Sequence, residues 1–460
     1  MGVKGHAVQA IFGSLVTQAQ RVLQRSGMQI RPIGPHQNRL GAAQGTALLL
    51  FAISFVAAWI HWSDTLYLLL THRTDTLGYY QFLPGFFLER DIYCLPWTHE
   101  ITPSRLLSLF TIGVAILQLP FFMIGHVLAV LGGYVTDGYS APYATAQLVG
   151  AAFYQGCSGY LLVRWLGRSI YPRVVGAAVL VLVLSTPLHY YTAYEPTMSH
   201  GYSFFLISAL LYLVDLWVRQ PSAWNTFLLF PLCTMVVLVR PLNGILLLIP
   251  FIYRASDLHS IRDRLLTLRR WTRATILGSL VSVLLIFPQS LYWHSITGKW
   301  VLFTYGVKEE SFDFSAPHLF DVLFSHQNGW FVYSPLMIMV MTVLLWQAWR
   351  KESGARTSLV IWAIAWYFYG SWWAWWLGAA YGFRGFVEYS ALFVPPTIQL
   401  LLWMSAARIW WRYLCVTVVV GLIFINVRMS YIYQAPWDGP DWSWRKYVDK
   451  VQESFFVPGP

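Results

Sequence analysis

Apolar runs alternate with short polar connectors along almost the whole chain; the basic residues crowd into every second connector and most acids occupy the others. Runs such as 46–60, 174–188, 202–218, 274–292, 359–376 and 414–425 approach the roughly 20 residues that a helix needs to cross a hydrocarbon layer about 30 Å thick. Inside lipid the backbone must satisfy its own hydrogen bonds, so these runs are predicted to be helices, and the strict alternation of a membrane β-barrel is absent. Only 11% of the residues are charged, against about a quarter in a soluble domain. The expected fold is all-α: an integral membrane bundle of about eleven transmembrane helices, within a range of ten to thirteen.

The charge pattern orients that bundle. With the amino terminus in the cytoplasm and spans near 45–63, 142–163, 174–190, 200–218, 225–239, 241–253, 274–293, 330–348, 358–376, 388–405 and 411–427, the inner face holds 20 of the 31 Lys and Arg but only 4 of the 20 acids. The net charge of +11 thereby follows from the positive-inside rule, and no nucleic-acid partner is expected. Residues 1–44 form a cytoplasmic segment in which Val8, Ile11, Phe12, Leu15, Val16, Ala19, Val22 and Leu23 recur at helical spacing beside Lys4, Arg21 and Arg25, the pattern of an interfacial helix on an anionic leaflet. Residues 45–428 form the transmembrane domain, with outer loops at 64–141 and 295–329, and residues 429–460 an outer-face tail whose Trp437, Trp442 and Trp444 suit the membrane interface. The first long run starts too late for a cleavable signal peptide. The apolar stretch 106–131 is long enough to cross, but counting it would put Arg164, Arg168 and Arg173 outside. It is read as a juxtamembrane or re-entrant segment broken at Pro120, with an ordinary twelfth span as the alternative.

Cys157, Cys233 and Cys415 fall in spans and Cys94 stands alone in a loop, so no disulfide framework is expected. No cofactor is expected either; nothing in the motifs calls for a divalent metal. The candidate chemistry lies on the outer side. Asp75 follows the first span by about a dozen residues, with Glu89 and Asp91 later in the same loop. A carboxylate just outside the membrane is placed to take a proton from an acceptor hydroxyl, although an aspartate before Thr76 would also cap a short helix. Glu195 and His200 lie at the hydrocarbon boundary, where an ionisable group usually faces a cavity or a partner; a satisfied interfacial histidine is the simpler reading of His200. Arg240 stands between two apolar runs and is followed by Pro241, Asn243 and Gly244. A guanidinium held there suits a phosphate, which it grips through parallel hydrogen bonds; pairing with Glu195 or snorkelling are the alternatives. Arg384 is a second cation on the same face, and Glu388, four residues on, is placed to pair with it. Acids and two arginines at a membrane-level opening suit glycosyl transfer from a lipid-phosphate sugar. Phosphate is already a good leaving group, so one base on the acceptor and cations on the departing phosphate suffice.

At these residues the chain resembles the multi-spanning GT-C glycosyltransferases, which include protein mannosyltransferases and lipid A aminoarabinose transferases, and looks closest to the bacterial RgtA/B/C/D-like branch. The likeness lies in Asp75 with Tyr79 after the first span, and in Tyr194-Glu195-Pro196-Thr197-Met198-Ser199-His200 opening a later one. Arg240-Pro241-Leu242-Asn243, the stretch from Ser325 to Pro335, and Gly382-Phe383-Arg384-Gly385-Phe386-Val387-Glu388 follow in order. The resemblance implies that Asp75 is the catalytic base, that outer-loop acids position the substrates, that the donor is a polyprenyl-phosphate sugar and that the anomeric carbon inverts. The family pattern has an acidic pair where this chain has Asp75 followed by Thr76, leaving the second acidic role to Glu195, Glu89 or Asp91. The expected acceptor is an envelope glycan, lipid or protein at the outer face of a bacterial inner membrane. Tyr79, Glu89, Asp91, His200, Asn243 and Glu388 are candidate supporting residues around Asp75, Glu195, Arg240 and Arg384. A transporter or flippase for a lipid-linked substrate, or an inactive scaffold of envelope assembly, would carry the same composition.

Overall fold

The computed structural model describes residues 37–456 apart from 73–74, 94, 103–104, 435–436 and 440. The amphipathic stretch expected between Val8 and Arg25 lies outside the described residues. The chain is predominantly helical, with one small antiparallel hairpin, β1 (His99–Thr102) and β2 (Arg105–Leu107), paired through His99 and Leu107. Among the described residues, five helical stretches are long and apolar enough to cross a membrane: Leu40–Thr71, Gly113–Gly132, Ser199–Arg219, Thr272–Thr297 and Ile409–Ile432. Pro172–Ser185, Ala223–Val239, Pro241–Ile252 and Leu336–Trp349 are shorter apolar helices. The first outer loop, expected to carry juxtamembrane helices, also holds the hairpin.

In chain order the main helices are α1 (Gln37–Trp62), α2 (Leu66–Thr71), α3 (Asp75–Tyr80), α4 (Gly113–Gly132), α5 (Ala141–Leu166), α6 (Pro172–Ser185), α7 (Leu188–Ala193) and α8 (Ser199–Arg219). They continue with α9 (Ala223–Val239), α10 (Leu258–Arg270), α11 (Thr272–Thr297), α12 (Leu336–Trp349), α13 (Ser353–Gly370), α14 (Val394–Ala406), α15 (Ile409–Ile432) and α16 (Trp444–Phe456). Small residues let the long helices approach closely, as packing between apolar helices in lipid requires. A Cβ on Gly113, at the start of α4, would stand 2.3 Å from the Leu238 backbone at the end of α9.

The stretch read as broken at Pro120 is one continuous helix, α4, with Pro120 inside it. A proline is tolerated where neighbouring helices satisfy nearby backbone groups, and here the Tyr154 hydroxyl of α5 donates to the Leu117 carbonyl at 2.8 Å. It is 20 residues long and its most apolar 18-residue window has a mean hydropathy of 2.2, enough by length and composition for a span.

The two ends of α8 carry opposite kinds of charge cluster. At one end Asp215 is buried among arginines from three segments: Arg219 at 2.9 Å, Arg168 at 3.8 Å and Arg254 at 4.0 Å, with the Tyr253 hydroxyl donating at 3.0 Å. At the other end His200 meets Arg240 and Glu388. Fifteen residues of helix separate Asp215 from His200, or about 22 Å at 1.5 Å per residue. That is less than the ~30 Å hydrocarbon thickness, so the His200 cluster is at membrane depth when the arginine-rich end lies at one surface.

Of the three tail tryptophans expected at the membrane interface, Trp444 is exposed and the other two pack inside the protein. Trp437 and Trp442 stack at 5.4 Å and are buried, with Trp437 packed on Tyr433 and Tyr381. Burying two indoles removes more apolar area from water than laying them on a surface would. The same tail clamps the segment that leads to Arg384: Asp438 Oδ2 accepts the Ala379 N–H at 2.6 Å, and Gln327 Nε2 donates to the Asp438 carbonyl at 3.0 Å. Gly382 takes φ +63°, and a Cβ there would meet Pro187 at 2.7 Å and Tyr333 at 2.9 Å, so this turn requires glycine.

Candidate functional site

Asp75 opens α3 instead of preceding it, and its carboxylate is turned toward Arg384, whose Nη1 donates to Oδ2 at 2.8 Å. Thr76, the next residue, donates its hydroxyl to Glu195 Oε2 at 3.2 Å, and the Tyr190 hydroxyl reaches Oε1 at 3.5 Å. Thr76 is the position where the family pattern would place a second acid. The chain thus brings a second carboxylate to Asp75 through a threonine, from 119 residues further along.

Beneath this pair lies a second group. Pro241 disfavours a helical conformation at the residue before it, and Arg240 is extended at the end of α9, with φ −148° and ψ 113°. Its Nε lies 3.1 Å from Glu388 Oε1, its Nη1 2.8 Å from His200 Nδ1, and its Nη2 donates to the Tyr369 hydroxyl at 3.4 Å. Glu388 Oε2 is in turn 2.9 Å from His200 Nδ1. Exposure falls from 34% for the Asp75 side chain and 22% for Arg384, through 18% for Arg240, to 1% for His200 and 0% for Glu388. Glu388 was expected to pair with Arg384 at helical spacing. Arg384 instead ends up in one 3-10 turn and Glu388 begins the next (Glu388–Phe393), which sends the two side chains to different partners. His200, read as a satisfied interfacial histidine, is a member of the buried ion cluster. Arg240 pairs with Glu388, not with Glu195.

Tyr79 joins the layers. It packs edge-on against Phe110 at 4.7 Å, reaches the Ser199 hydroxyl, and feels the charges of Arg240, Asp75 and Arg384. Three candidates stay apart. Glu89 is exposed near Tyr139, and Asp91 accepts the Tyr93 N–H at 2.8 Å. Asn243 is buried one turn past Arg240, with its Nδ2 directed at Ser203 Oγ at 3.3 Å. Tyr191, Tyr305 and Tyr369 carry no mark in the sequence, and Thr76 stands out there only as a missing acid. Tyr305 is brought over the charges from the 295–329 loop, which is pinned by Thr304 Oγ1 donating to the Leu109 carbonyl at 2.7 Å and by a β-bridge between Phe312 and Trp372. No spacing rule marks such a residue; only an aromatic in an outer loop was visible.

An apolar cavity of about 250 Å³, lined by none of the charged residues above, lies between α15, α16 and the residues preceding α12. Tyr381 on its wall packs against Tyr190 at 5.3 Å, and Tyr190 in turn reaches Glu195.

Burial pushes the Glu195 carboxyl up from 4.5 to about 7; the Thr76 hydrogen bond opposes this and the nearby Asp75 carboxylate adds to it. A carboxyl raised in the folded state binds its proton more tightly there. Its contribution to stability is complete below the unfolded value and is lost as pH rises through the folded one. Glu195→Gln, which is neutral at every pH, is therefore expected to match wild type near pH 4.5 and to exceed it at pH 8.5, by at most about 3 kcal/mol. Thermal unfolding at both pH values measures this, and an equal gap at the two would refute it.

No protein-family model matches this chain, and neither does any curated protein or solved structure.

Proposed function

We propose that the chain is a membrane glycosyltransferase of the GT-C type, with about eleven spans and a cytoplasmic amino terminus, in a bacterial inner membrane. In this reading it moves a single sugar from a polyprenyl-phosphate carrier to an envelope glycan, lipid or protein on the outer face. The observation that carries the reading is the layered cluster. An accessible carboxylate, Asp75, touches an arginine, stands beside a second carboxylate, and sits over a buried Arg240–Glu388–His200 group.

The chemistry follows from that arrangement. The acceptor hydroxyl gives its proton to Asp75 as its oxygen attacks the anomeric carbon from the face opposite the phosphate. The anomeric C–O bond to phosphate breaks, its electron pair leaves with the polyprenyl phosphate, and the configuration inverts. Arg384 meets the departing phosphate directly, and Arg240, held by Glu388, His200 and Tyr369, contributes a fixed charge beneath it. Glu195, raised toward neutral pH, orients the acceptor. The cavity past Tyr381 offers apolar walls to an isoprenoid tail. Sugar release from a radiolabelled polyprenyl-phosphate sugar by the purified protein tests the reading. Transport of the intact lipid across a vesicle membrane without release would favour the flippase alternative.

A further inference from the structure

We propose that the Asp75–Arg384 ion pair is a substrate-operated latch: the donor phosphate draws the Arg384 guanidinium away from Asp75, and only then does that carboxylate become available to the acceptor hydroxyl. The inference rests on the glycosyl-transfer reading and adds to it an order of events, donor before acceptor.

Three features of the site carry it. First, the two arginines are held differently. Nε, Nη1 and Nη2 of Arg240 all have protein partners, two of them fully buried. Arg384 is engaged through Nη1 alone, by Asp75, among the described residues. It is therefore the guanidinium with donors left for a ligand, and the carboxylate it holds is the one an incoming anion must displace. A carboxylate and a phosphate use the same parallel-bond geometry on a guanidinium, so they compete for it.

Second, the pair is breakable. Both side chains are partly exposed, and an ion pair in contact with solvent contributes little net stability. The Arg240–Glu388 pair differs in its carboxylate: Glu388 is fully buried, so parting that pair would strand its charge away from water.

Third, the pair occupies the proposed base. Asp75 Oδ2 accepts from Arg384 Nη1 at 2.8 Å, so an acceptor hydroxyl arriving before the donor meets a carboxylate already engaged by a cation. After transfer the lipid phosphate bears an additional negative charge and holds Arg384 more firmly, so the latch closes again when that product leaves.

The test is binding of farnesyl phosphate to the full chain in detergent, with farnesol as the neutral control. If Asp75 competes for Arg384, removing its charge strengthens phosphate binding. Asp75→Asn and Asp75→Ala should each bind farnesyl phosphate about two- to fivefold more tightly than wild type, the factor equivalent to losing a weak, partly exposed ion pair. Farnesol affinity should not change. Arg384→Gln should lose most of the preference for phosphate over alcohol, and adding Asp75→Asn to it should bring no further gain. The latch is overturned if the Asp75 variants bind farnesyl phosphate no better than wild type, or if no variant prefers phosphate to alcohol. Tighter phosphate binding by the Asp75 variants, together with no sugar release by wild type, would uphold the competition and sink the transferase reading instead.

Discussion

Asp75→Asn is expected to cut sugar transfer by about 10²- to 10⁴-fold, the range that a positioned general base supplies. An amide cannot take the acceptor proton, yet it keeps the shape of the carboxylate and an oxygen for Arg384 Nη1. The fold should survive because Asp75 lies in the upper, partly exposed layer and no buried group loses its only partner. Turnover and thermal midpoint measured on the same preparation separate the two effects. A variant that keeps more than a tenth of wild-type turnover would remove Asp75 as the base. One that loses its thermal transition would show that the residue is structural.

The second large effect is on stability. Removing the Glu388 side chain leaves Arg240 without its carboxylate at 3.1 Å and His200 without its partner at 2.9 Å. Breaking one side of a buried pair costs about 3–5 kcal/mol, because the remaining charge is stranded; replacing both members with apolar groups is often close to neutral. Glu388→Leu should therefore be strongly destabilising, and adding Arg240→Met should restore much of the loss. The double-mutant cycle on thermal midpoints reads the coupling. Costs that simply add would mean that the two side chains do not depend on each other. Neither variant is expected to transfer sugar at the wild-type rate: Glu388→Leu releases Arg240 from its anchor, and the double variant removes the charge beneath the phosphate.

The residues of the cluster were legible one by one but not as partners. Asp75, Glu195, Arg240 and Arg384 stand out because each places a charge at the edge of an apolar run, where a charge is costly unless something receives it. What receives it is a matter of distance through space. Asp75 meets Arg384 across 309 residues, and Glu195 meets Thr76 across 119. The one local rule applied to the cluster, i to i+4 pairing, assigned Glu388 to Arg384 and was wrong. It presumes an α-helix, and the chain makes two successive 3-10 turns there. Thr76 illustrates the converse. In the sequence it looked like a missing acid; in the fold it is the hydroxyl that binds the second acid to the first.

By itself the sequence determined that the chain is helical and suited to a membrane, because the free energy of burying a backbone in lipid leaves few other structures for runs so apolar and so long. It also placed the candidate acids and arginines at helix ends, since the cost of a charge in hydrocarbon can be read from position alone. Tertiary packing decided the rest. It carried α4 through Pro120, folded the tryptophans of the tail over Tyr381, and gave Asp75 to Arg384 and Glu388 to Arg240. Those outcomes depend on which surfaces meet when the helices assemble, and ion pairs act over a few ångströms between residues that are hundreds of positions apart.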